Sequence, residues 1–365
     1  MTRTVHLVYP SGPAISCPDA IGRNLAERLR RRYSVVQYDW DAIGIARPGP
    51  DDVLVGHPHP VPGTLFRRSC RVSGWRRVIA LAPFVSNPMF VGFHEPVIRR
   101  YDLFLAITGA YWYRMAPTSA VNHWCPKLVH VDLAVDRRDF PRVKGRFAPP
   151  GRRRFLYVGH TAPWKNVGYL SAIARRMPQG DVGWIGSGTP IAGVVPLGPQ
   201  DFRTESARRI VADFDFLLTV GRVDANPATI LEAMSWGLIP VCTPTSGYSQ
   251  EPGIANVPLD DLDGAVQVVS ELQRAPEAEL EHMRADNDAA LARHYNWDRL
   301  AQQVVDAIES SASPTVWRIS PARRTSLLKE VLMGPSSPVR PTVLWRVAAA
   351  TARTLAHPER SGPPA

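Results

Sequence analysis

The segment from Asp224 to Thr243 constrains the fold of this chain more than any other part of the sequence. An apolar run, Leu217–Val220, comes before it and predicts a buried strand. Thr229–Trp236 is predicted to form a short helix that ends at Gly237, and Leu238–Cys242 is a second apolar run. A strand, loop, helix and strand in this order place a helix N-terminus at the carboxyl edge of a parallel sheet, where α/β proteins bind anionic ligands.

Two carboxylates lie in this segment, Asp224 in the loop and Glu232 on the helix. Asn226 is expected to cap the helix, and Pro227 has the backbone angle that suits its first turn. Glu232 is surrounded by apolar residues, and a buried lone charge is costly, so this carboxylate needs a partner. That partner is either a ligand with hydroxyl groups, such as a ribose, or an Arg of the protein itself.

A second pattern, at the start of the second half of the chain, suits a diphosphate. A predicted strand ends in Gly159, and a polar loop then leads to Lys165 and to a predicted helix over 167–176. Backbone N–H groups at such a turn point toward phosphate oxygens, and a Lys adds positive charge. The alternative for Lys165 is a solvated lysine at a helix start.

Both patterns resemble those of retaining GT-B glycosyltransferases of the family 4 (group 1) type. Glu232–Met234, Gly237 and Pro240–Val241 resemble the second acid of the family's acid-x7-acid element and the residues after it. The family's first acid is a Glu, which is replaced here by Asp224, and its Gly-Phe-Gly is replaced by Ala225–Pro227. The resemblance implies an α/β fold in which two Rossmann-like domains face a central cleft.

In the diphosphate loop, His160 stands where the family has Arg, and Asn166 stands where it has Gly. The resemblance implies a donor site, and the predicted donor-binding residues are Gly159, His160, Lys165, Gly186, Asn226, Ala228, Thr229 and Glu232. Lys165, Asp224 and His94 are the predicted catalytic residues. Retaining transfer in this fold needs a cation or a helix N-terminus at the departing diphosphate, which we assign first to Lys165. No cofactor is expected, and no obligatory metal is expected either.

The first half of the chain alternates predicted strands and helices, which indicates a doubly wound parallel sheet. The candidate acceptor-side residues follow three of its strands, and they are Ser11, Gly12, His57 and Glu95, with His94 beside the last. Their alternatives are an ordinary turn between strand and helix for Ser11 and Gly12, and a core or capping role for the histidines.

A chain of 365 residues is long enough for two domains. We predict an acceptor domain over 1–141, a linker over 142–153, a nucleotide-sugar domain over 154–310 and a basic, Pro-rich tail with short helices over 311–365. The four Cys show no CxxC spacing, so neither a zinc site nor a disulfide framework is indicated.

The charge distribution and the absence of targeting patterns limit the expected cellular location and binding partners of the protein. No signal-peptide pattern opens the sequence, and no apolar run reaches the roughly 18 residues of a membrane span, so we predict a cytoplasmic protein. The tail holds more than half of the formal charge of +10, which leaves open a peripheral contact with the inner face of the membrane. Nucleic-acid binding is not predicted, because no basic stripe is interleaved with aromatic residues.

The resulting hypothesis is a retaining glycosyltransferase. It would move a sugar from a nucleotide-diphosphate sugar to a glycan, lipid or small-molecule acceptor in the interdomain cleft. One alternative is a GT-B-like protein without transfer activity that acts as a binding or partner subunit. A dinucleotide-dependent enzyme is disfavoured, because no Gly-x-Gly-x-x-Gly follows the first strand.

Overall fold

A computed structural model describes residues 3–12, 16–87 and 94–310 of the chain. The predicted tail over 311–365, with its short helices and its membrane contact, lies outside the described residues. The chain divides into two compact units. Unit 1 comprises the residues up to Ala106, Met115–Val131 and the residues from Ala301, and unit 2 comprises Ile107–Arg114 and Asp132–Leu300. Residues 132–141, predicted to close the first domain, therefore belong to unit 2.

Unit 1 contains a six-stranded sheet in the order β2-β1-β3-β4-β5-β6. Its strands are β1 (Thr4–Val8), β2 (Ser34–Tyr38), β3 (Val53–Gly56), β4 (Arg77–Pro83), β5 (Leu103–Ile107) and β6 (Leu128–Val131). From β1 the chain goes to β2 on one side and returns to β3 on the other, and these strands pair in parallel. The direction of winding thus reverses between β1 and β3, and this topological switch point is where doubly wound sheets bind ligands.

Close contact between β1 and β3 requires a glycine at the carboxyl end of β3. A Cβ built on Gly56 would lie 2.6 Å from Val8 Cβ and 2.7 Å from Val8 O. The first helix, α1 (Cys17–Leu29), follows β1, and its cap is Ser16, whose side chain accepts a hydrogen bond from Asp19 N. Asp19 lies in the first turn, and its carboxylate accepts a hydrogen bond from Gly12 N at 2.9 Å.

Unit 2 contains a second six-stranded sheet, in the order β12-β11-β10-β7-β8-β9. Its strands are β7 (Phe155–Val158), β8 (Val182–Ile185), β9 (Val195–Gly198), β10 (Phe216–Thr219), β11 (Ile239–Cys242) and β12 (Ala255–Asn256). Its neighbouring strands pair in parallel, and the winding reverses between β7 and β10. Both sheets are doubly wound, but the switch point lies between the second and third strands of the first sheet and between the third and fourth strands of the second.

The remaining helices pack around these sheets. They are α2 (Leu65–Ser69), α3 (Ala110–Met115), α4 (Val167–Ala174), α5 (Glu205–Ala212), α6 (Ala228–Trp236), α7 (Leu262–Arg274), α8 (Glu277–Arg293) and α9 (Trp297–Glu309). Helix α6 ends at Gly237 in the left-handed region with φ +90°, as the sequence predicts. Among the described residues, no helix combines the length and the apolar character needed to cross a bilayer.

The segment predicted as an interdomain linker, 142–153, packs onto unit 2. Lys144 pairs with the buried Asp215 at 2.9 Å. Arg153 is fully buried and donates to the carbonyl oxygens of Ala148, Leu272 and Ala275, at 3.0, 3.0 and 2.6 Å. Two of the cations in this segment therefore lie inside unit 2 and have partners there.

Candidate active site

The loops that follow β7 and β8 lie against each other through two glycines. Gly159 follows β7 with φ +151°, and Gly186 follows β8 with φ +158°. A Cβ on Gly186 would lie 2.0 Å from Gly159 O, so no larger residue fits there. Gly159 N donates to Ile185 O at 3.0 Å. This contact brings two predicted donor-binding positions together at the carboxyl edge of the sheet.

Asn166 stands where the resembling family has Gly, and its backbone conformation shows why Asn is tolerated at this position. Lys165 ends a short 3-10 turn, Pro163–Lys165, and Asn166 follows in the left-handed region with φ 56°. Glycine adopts this conformation freely, and Asn is among the few other residues that adopt it at small cost. The backbone turn that carries Lys165 into helix α4 is therefore kept despite the change of residue.

Lys165 and Asp224, both predicted to be catalytic, form an ion pair between Lys165 Nζ and Asp224 Oδ2. They come from the loops after β7 and β10, the two strands that flank the switch point of unit 2. Each side chain keeps less than a fifth of its surface exposed. The Asp224 backbone is held on both sides, since its N–H donates to Thr245 O at 3.0 Å and its carbonyl accepts from Trp112 Nε1 at 2.7 Å.

Glu232 is half-buried on helix α6, five residues into the helix. Within the described ranges of the chain, no hydrogen bond or ion pair to its carboxylate is present, so an Arg of the protein does not fill the role of its partner there. Burial raises the pKa of Glu232 to about 7. A ligand with hydroxyl groups would supply hydrogen bonds to this unpaired carboxylate. That Glu232 binds the ribose of the donor stays a prediction.

Asn226 does not cap helix α6, and that expectation was wrong. Pro227 occupies the cap position and has no side chain that can accept a hydrogen bond. Asn226 Oδ1 instead accepts from Leu133 N at 3.2 Å, which fastens the loop to the start of unit 2. Ala228 and Thr229, also predicted to bind the donor, form the first turn of the helix and are partly exposed.

His160 is exposed at the beginning of the diphosphate loop. Its ring meets the Trp164 ring edge-on at 5.6 Å, and its Nδ1 accepts from Ala162 N at 3.2 Å. Desolvation, and then the nearby Lys165 charge, lower the pKa of His160 below its ordinary value. His160 is therefore neutral near pH 7, and the positive charge of this loop comes from Lys165.

The predicted residues of unit 1 separate into two groups. His57 and His94 line one cavity of about 400 Å³. Ser11 is exposed and Gly12 is tied to Asp19, and neither lines this cavity. Glu95 does not line it either, because its Oε2 accepts from His123 Nε2 at 3.0 Å and from Trp124 Nε1 at 2.9 Å, which is a structural arrangement inside the unit.

His94 is itself buried, 4.5 Å from the Phe104 ring centroid. Burial is the main cause that lowers the pKa of His94 well below its ordinary value. A histidine so packed is held neutral by unit 1, which favours the core alternative over a catalytic role for its ring.

Some residues of the site, among them Trp112 and Tyr157, were not singled out from the sequence. Trp112, which holds the Asp224 carbonyl, lies more than a hundred positions away in the chain, and no local pattern links the two. The Tyr157 hydroxyl donates to His160 O at 2.7 Å. Because Tyr157 lies in a buried strand, the sequence indicates only a core residue at this position. No group of three or more His, Cys, Asp and Glu that could hold a metal is found in residues 3–12, 16–87 and 94–310.

Comparison of the coordinates with solved structures identifies the fold. A sucrose-phosphate synthase from Thermosynechococcus elongatus matches 84% of this chain and 98% of its own, with a TM-score of 0.62 and 11% identity. A glycosyltransferase from Rickettsia africae matches 85% and 100%, with a TM-score of 0.60 and 8% identity. The chain has the GT-B fold. The prediction of two Rossmann-like α/β domains is thereby confirmed.

A third match is HepE of Anabaena, whose structure was determined in complex with UDP and glucose. It covers 84% of this chain and 99% of its own, with a TM-score of 0.56 and 11% identity. No protein-family model matches the sequence, and no curated protein matches it. The likeness is therefore one of fold, and it does not extend to a recognisable sequence relationship.

Proposed function

We propose that this protein is a retaining glycosyltransferase that uses a nucleotide-diphosphate sugar. The observation that carries the proposal is the meeting of Lys165 and Asp224 at the switch point of unit 2, with the unpartnered Glu232 on the helix that follows the Asp224 loop. A cation, a glycine turn and a carboxylate free to accept hydroxyl groups are the groups that a diphosphate and a ribose require. The GT-B fold and the nucleotide complex of HepE support the same donor class.

The chemistry follows from the charges of the site. The bond between the anomeric carbon of the sugar and the diphosphate oxygen breaks, and the nucleoside diphosphate leaves with the electron pair. The acceptor oxygen bonds to the anomeric carbon on the same face, and its proton passes to the departing diphosphate. Lys165 stabilises the negative charge that grows on the leaving oxygen, which is where a fixed cation lowers the barrier most.

The Lys165–Asp224 pair also orders the site before the donor binds. A long Lys side chain loses conformational entropy when it is fixed in one rotamer. Because the pair with Asp224 already fixes Lys165, little of this entropy remains to be lost when the donor binds. Trp112 and Thr245 hold the Asp224 backbone, so the carboxylate that receives Lys165 is itself fixed. Trp112 and Thr245 are thus positioning residues for the donor site.

The decisive experiment begins with a thermal-shift screen of nucleotide-sugars and nucleoside diphosphates. A ligand at 100 times its dissociation constant should stabilise the protein by roughly 2.7 kcal/mol. The stabilising donor is then incubated with the protein, and release of nucleoside diphosphate is measured with time. We expect binding and slow release. Binding without release, alone or with acceptors, would instead identify a protein that has lost transfer and acts as a binding subunit.

A further inference from the structure

The cavity of unit 1 lies at the switch point of its sheet. Its lining comes from the residues after β1, β2, β3 and β4 and from the start of α1. The lining residues are Tyr9, Cys17, Pro18, Ile21, Trp40, His57, Pro58, His59, Pro60, Pro83 and His94. Cavities of roughly 300–1,000 Å³ hold small molecules, so a volume of about 400 Å³ suits one compact group.

The lining of this cavity is apolar and aromatic. Among the described residues that line it, none is Asp, Glu, Lys, Arg, Asn or Gln. The Trp40 ring lies 5.0 Å from the His57 ring and 5.3 Å from the His59 ring, and His57 meets Tyr9 edge-on at 5.9 Å. Flat rings at these spacings form walls that favour another flat ring between or beside them.

The polar groups of the cavity are neutral imidazoles. Burial, followed by the charges of His59 and Arg67, lowers the pKa of His57 to about 3. Desolvation also lowers the pKa of His59, and Asp41 and Asp39 oppose that shift. The Tyr9 hydroxyl is engaged, because it donates to Leu81 O at 2.8 Å. A neutral imidazole has one donor and one acceptor. His59 Nδ1 already accepts from Val61 N at 3.4 Å, whereas the buried Nδ1 atoms of His57 and His94 have no hydrogen-bond partner among the described residues. These two nitrogens suit a hydroxyl and give no charge to attract an anion.

We propose that this cavity binds the uncharged aromatic or alicyclic ring of a hydroxyl-bearing acceptor, and not a sugar or a phosphate group. The assignment rests on the proposed function, since it names the class of acceptor for that reaction. A sugar needs several polar side chains around its hydroxyls, and a phosphate needs a cation, and the lining supplies neither. An apolar ring gains from leaving water for walls of Trp, Tyr, Ile and Pro.

Binding can be measured without any donor or turnover. The probe is 2-naphthol, a flat hydroxyl-bearing ring system, and titration calorimetry with the full chain at pH 7 gives its affinity. The comparison ligands are 2-naphthoate, which has the same rings and a negative charge, and glucose, which is uncharged and polar. We expect 2-naphthol to bind at least tenfold more tightly than either, with a negative heat-capacity change that marks burial of apolar surface.

Two substitutions locate the binding to this cavity. Trp40→Ala removes a half-buried wall and Cys17→Phe fills the space at the start of α1, and each should weaken 2-naphthol binding at least tenfold. The matched control is Trp75→Ala, in the same unit, because Trp75 packs on His6 and does not line the cavity. Trp75→Ala should leave the affinity within twofold of the wild type.

The outcomes separate this proposal from the proposed function. Tighter binding of 2-naphthoate or glucose, no binding of 2-naphthol to the wild type, or equal binding to Trp40→Ala and Cys17→Phe would each overturn the cavity assignment. Nucleotide-sugar binding by the same wild-type protein would then still support a glycosyltransferase. Selective 2-naphthol binding without any nucleotide-sugar binding would leave the cavity assignment in place and contradict the transferase.

Discussion

Both units contain a doubly wound six-stranded sheet, and the two switch points carry opposite chemistry. In unit 1 the switch point between β1 and β3 carries an apolar cavity with neutral histidines. In unit 2 the switch point between β7 and β10 carries an ion pair, a glycine turn and an unpaired carboxylate. Topology fixes where loops converge, and the residues in those loops decide what can bind.

The titrating groups of the two sites sharpen this difference. Burial lowers the pKa of His57 to about 3 and raises the pKa of Glu232 to about 7, so in both cases the neutral form is favoured. The two shifts have opposite consequences for stability. Acid is expected to destabilise the protein through His57, and base through Glu232, because each change forces a charge into a desolvated place.

The largest expected effect is on the charged site. Lys165→Ala removes the cation paired with Asp224, and turnover should fall by a hundredfold or more, about 2.7–4 kcal/mol by analogy with the loss of one oxyanion donor. The Michaelis constant for the donor should change less, because the charge on the leaving diphosphate grows in the transition state. Steady-state kinetics with the donor found by thermal shift measures both.

Arg222→Ala is the matched control for Lys165→Ala. Arg222 follows β10 in the same loop region, but its side chain is half-exposed and pairs with Asp260 at 3.0 Å. Its removal should leave turnover within about threefold of the wild type, in the range of an exposed ion pair. Near-normal turnover in Lys165→Ala, or complete loss of wild-type activity on addition of a chelator, would show that another group holds the diphosphate.

Glu232→Gln should affect binding and stability in opposite directions. If the carboxylate accepts hydrogen bonds from the ribose, nucleotide affinity should fall by roughly 1.5–3 kcal/mol. A carboxyl whose folded pKa is raised binds more protons in the folded state, so its ionisation costs stability as the pH rises from the ordinary value to about 7. The variant should therefore be more stable at pH 8, by up to about 3 kcal/mol.

Denaturant unfolding and nucleotide titration of the same variant test this combination. Glu205→Gln is the control, because Glu205 is exposed on α5 and pairs only with Arg209 one turn away. Lower stability of Glu232→Gln with unchanged nucleotide affinity would mean that the acid is structural.

His57→Gln tests the neutral site. The unfolded chain binds a proton at His57 below its ordinary pKa, whereas the folded chain does so only near pH 3, so stability is present at neutral pH and is lost as the pH falls. Between pH 7 and pH 5 this contribution should shrink by up to about 2 kcal/mol. His57→Gln should lose that part of the pH dependence in chemical denaturation, whereas substitution of the exposed His282 by Gln should leave it unchanged. An equally steep pH dependence in His57→Gln would assign it to other groups.

The sequence predicts unit 2 better than unit 1, and the reason is physical. Helix α6, Gly237 and the strands beside them follow from a local pattern, so the predicted and observed elements agree closely. Asn226 shows the limit, since its distant partner Leu133 replaced the expected local cap. The cavity of unit 1 is formed by residues from several separate segments of the chain, such as Trp40 and Pro60, and no spacing pattern links these segments.

Lys144 and Arg153 show the same limit in another form. Charged residues between Pro and Gly suggest a solvated segment, and only the folded unit reveals that Asp215 and three carbonyl groups receive them. Contacts between residues far apart in sequence thus account for most of the features that the local sequence pattern did not predict.

The smallest expected effect concerns His160, a neutral residue in the positively charged loop of unit 2. This histidine is neutral near pH 7 in a loop that otherwise depends on Lys165 for charge, and it stands where the resembling family has Arg. Its side chain is exposed and accepts a local hydrogen bond from Ala162 N at Nδ1, so His160→Arg should fold normally. An added permanent cation near the diphosphate should raise turnover by no more than about threefold, the range of an exposed charge interaction. The gain should shrink with added salt, because exposed charges are screened over about 8 Å at physiological ionic strength. His160→Gln, which keeps the residue neutral, is the matched control and should retain wild-type turnover. A tenfold loss in both variants would mean that the imidazole itself contacts the donor.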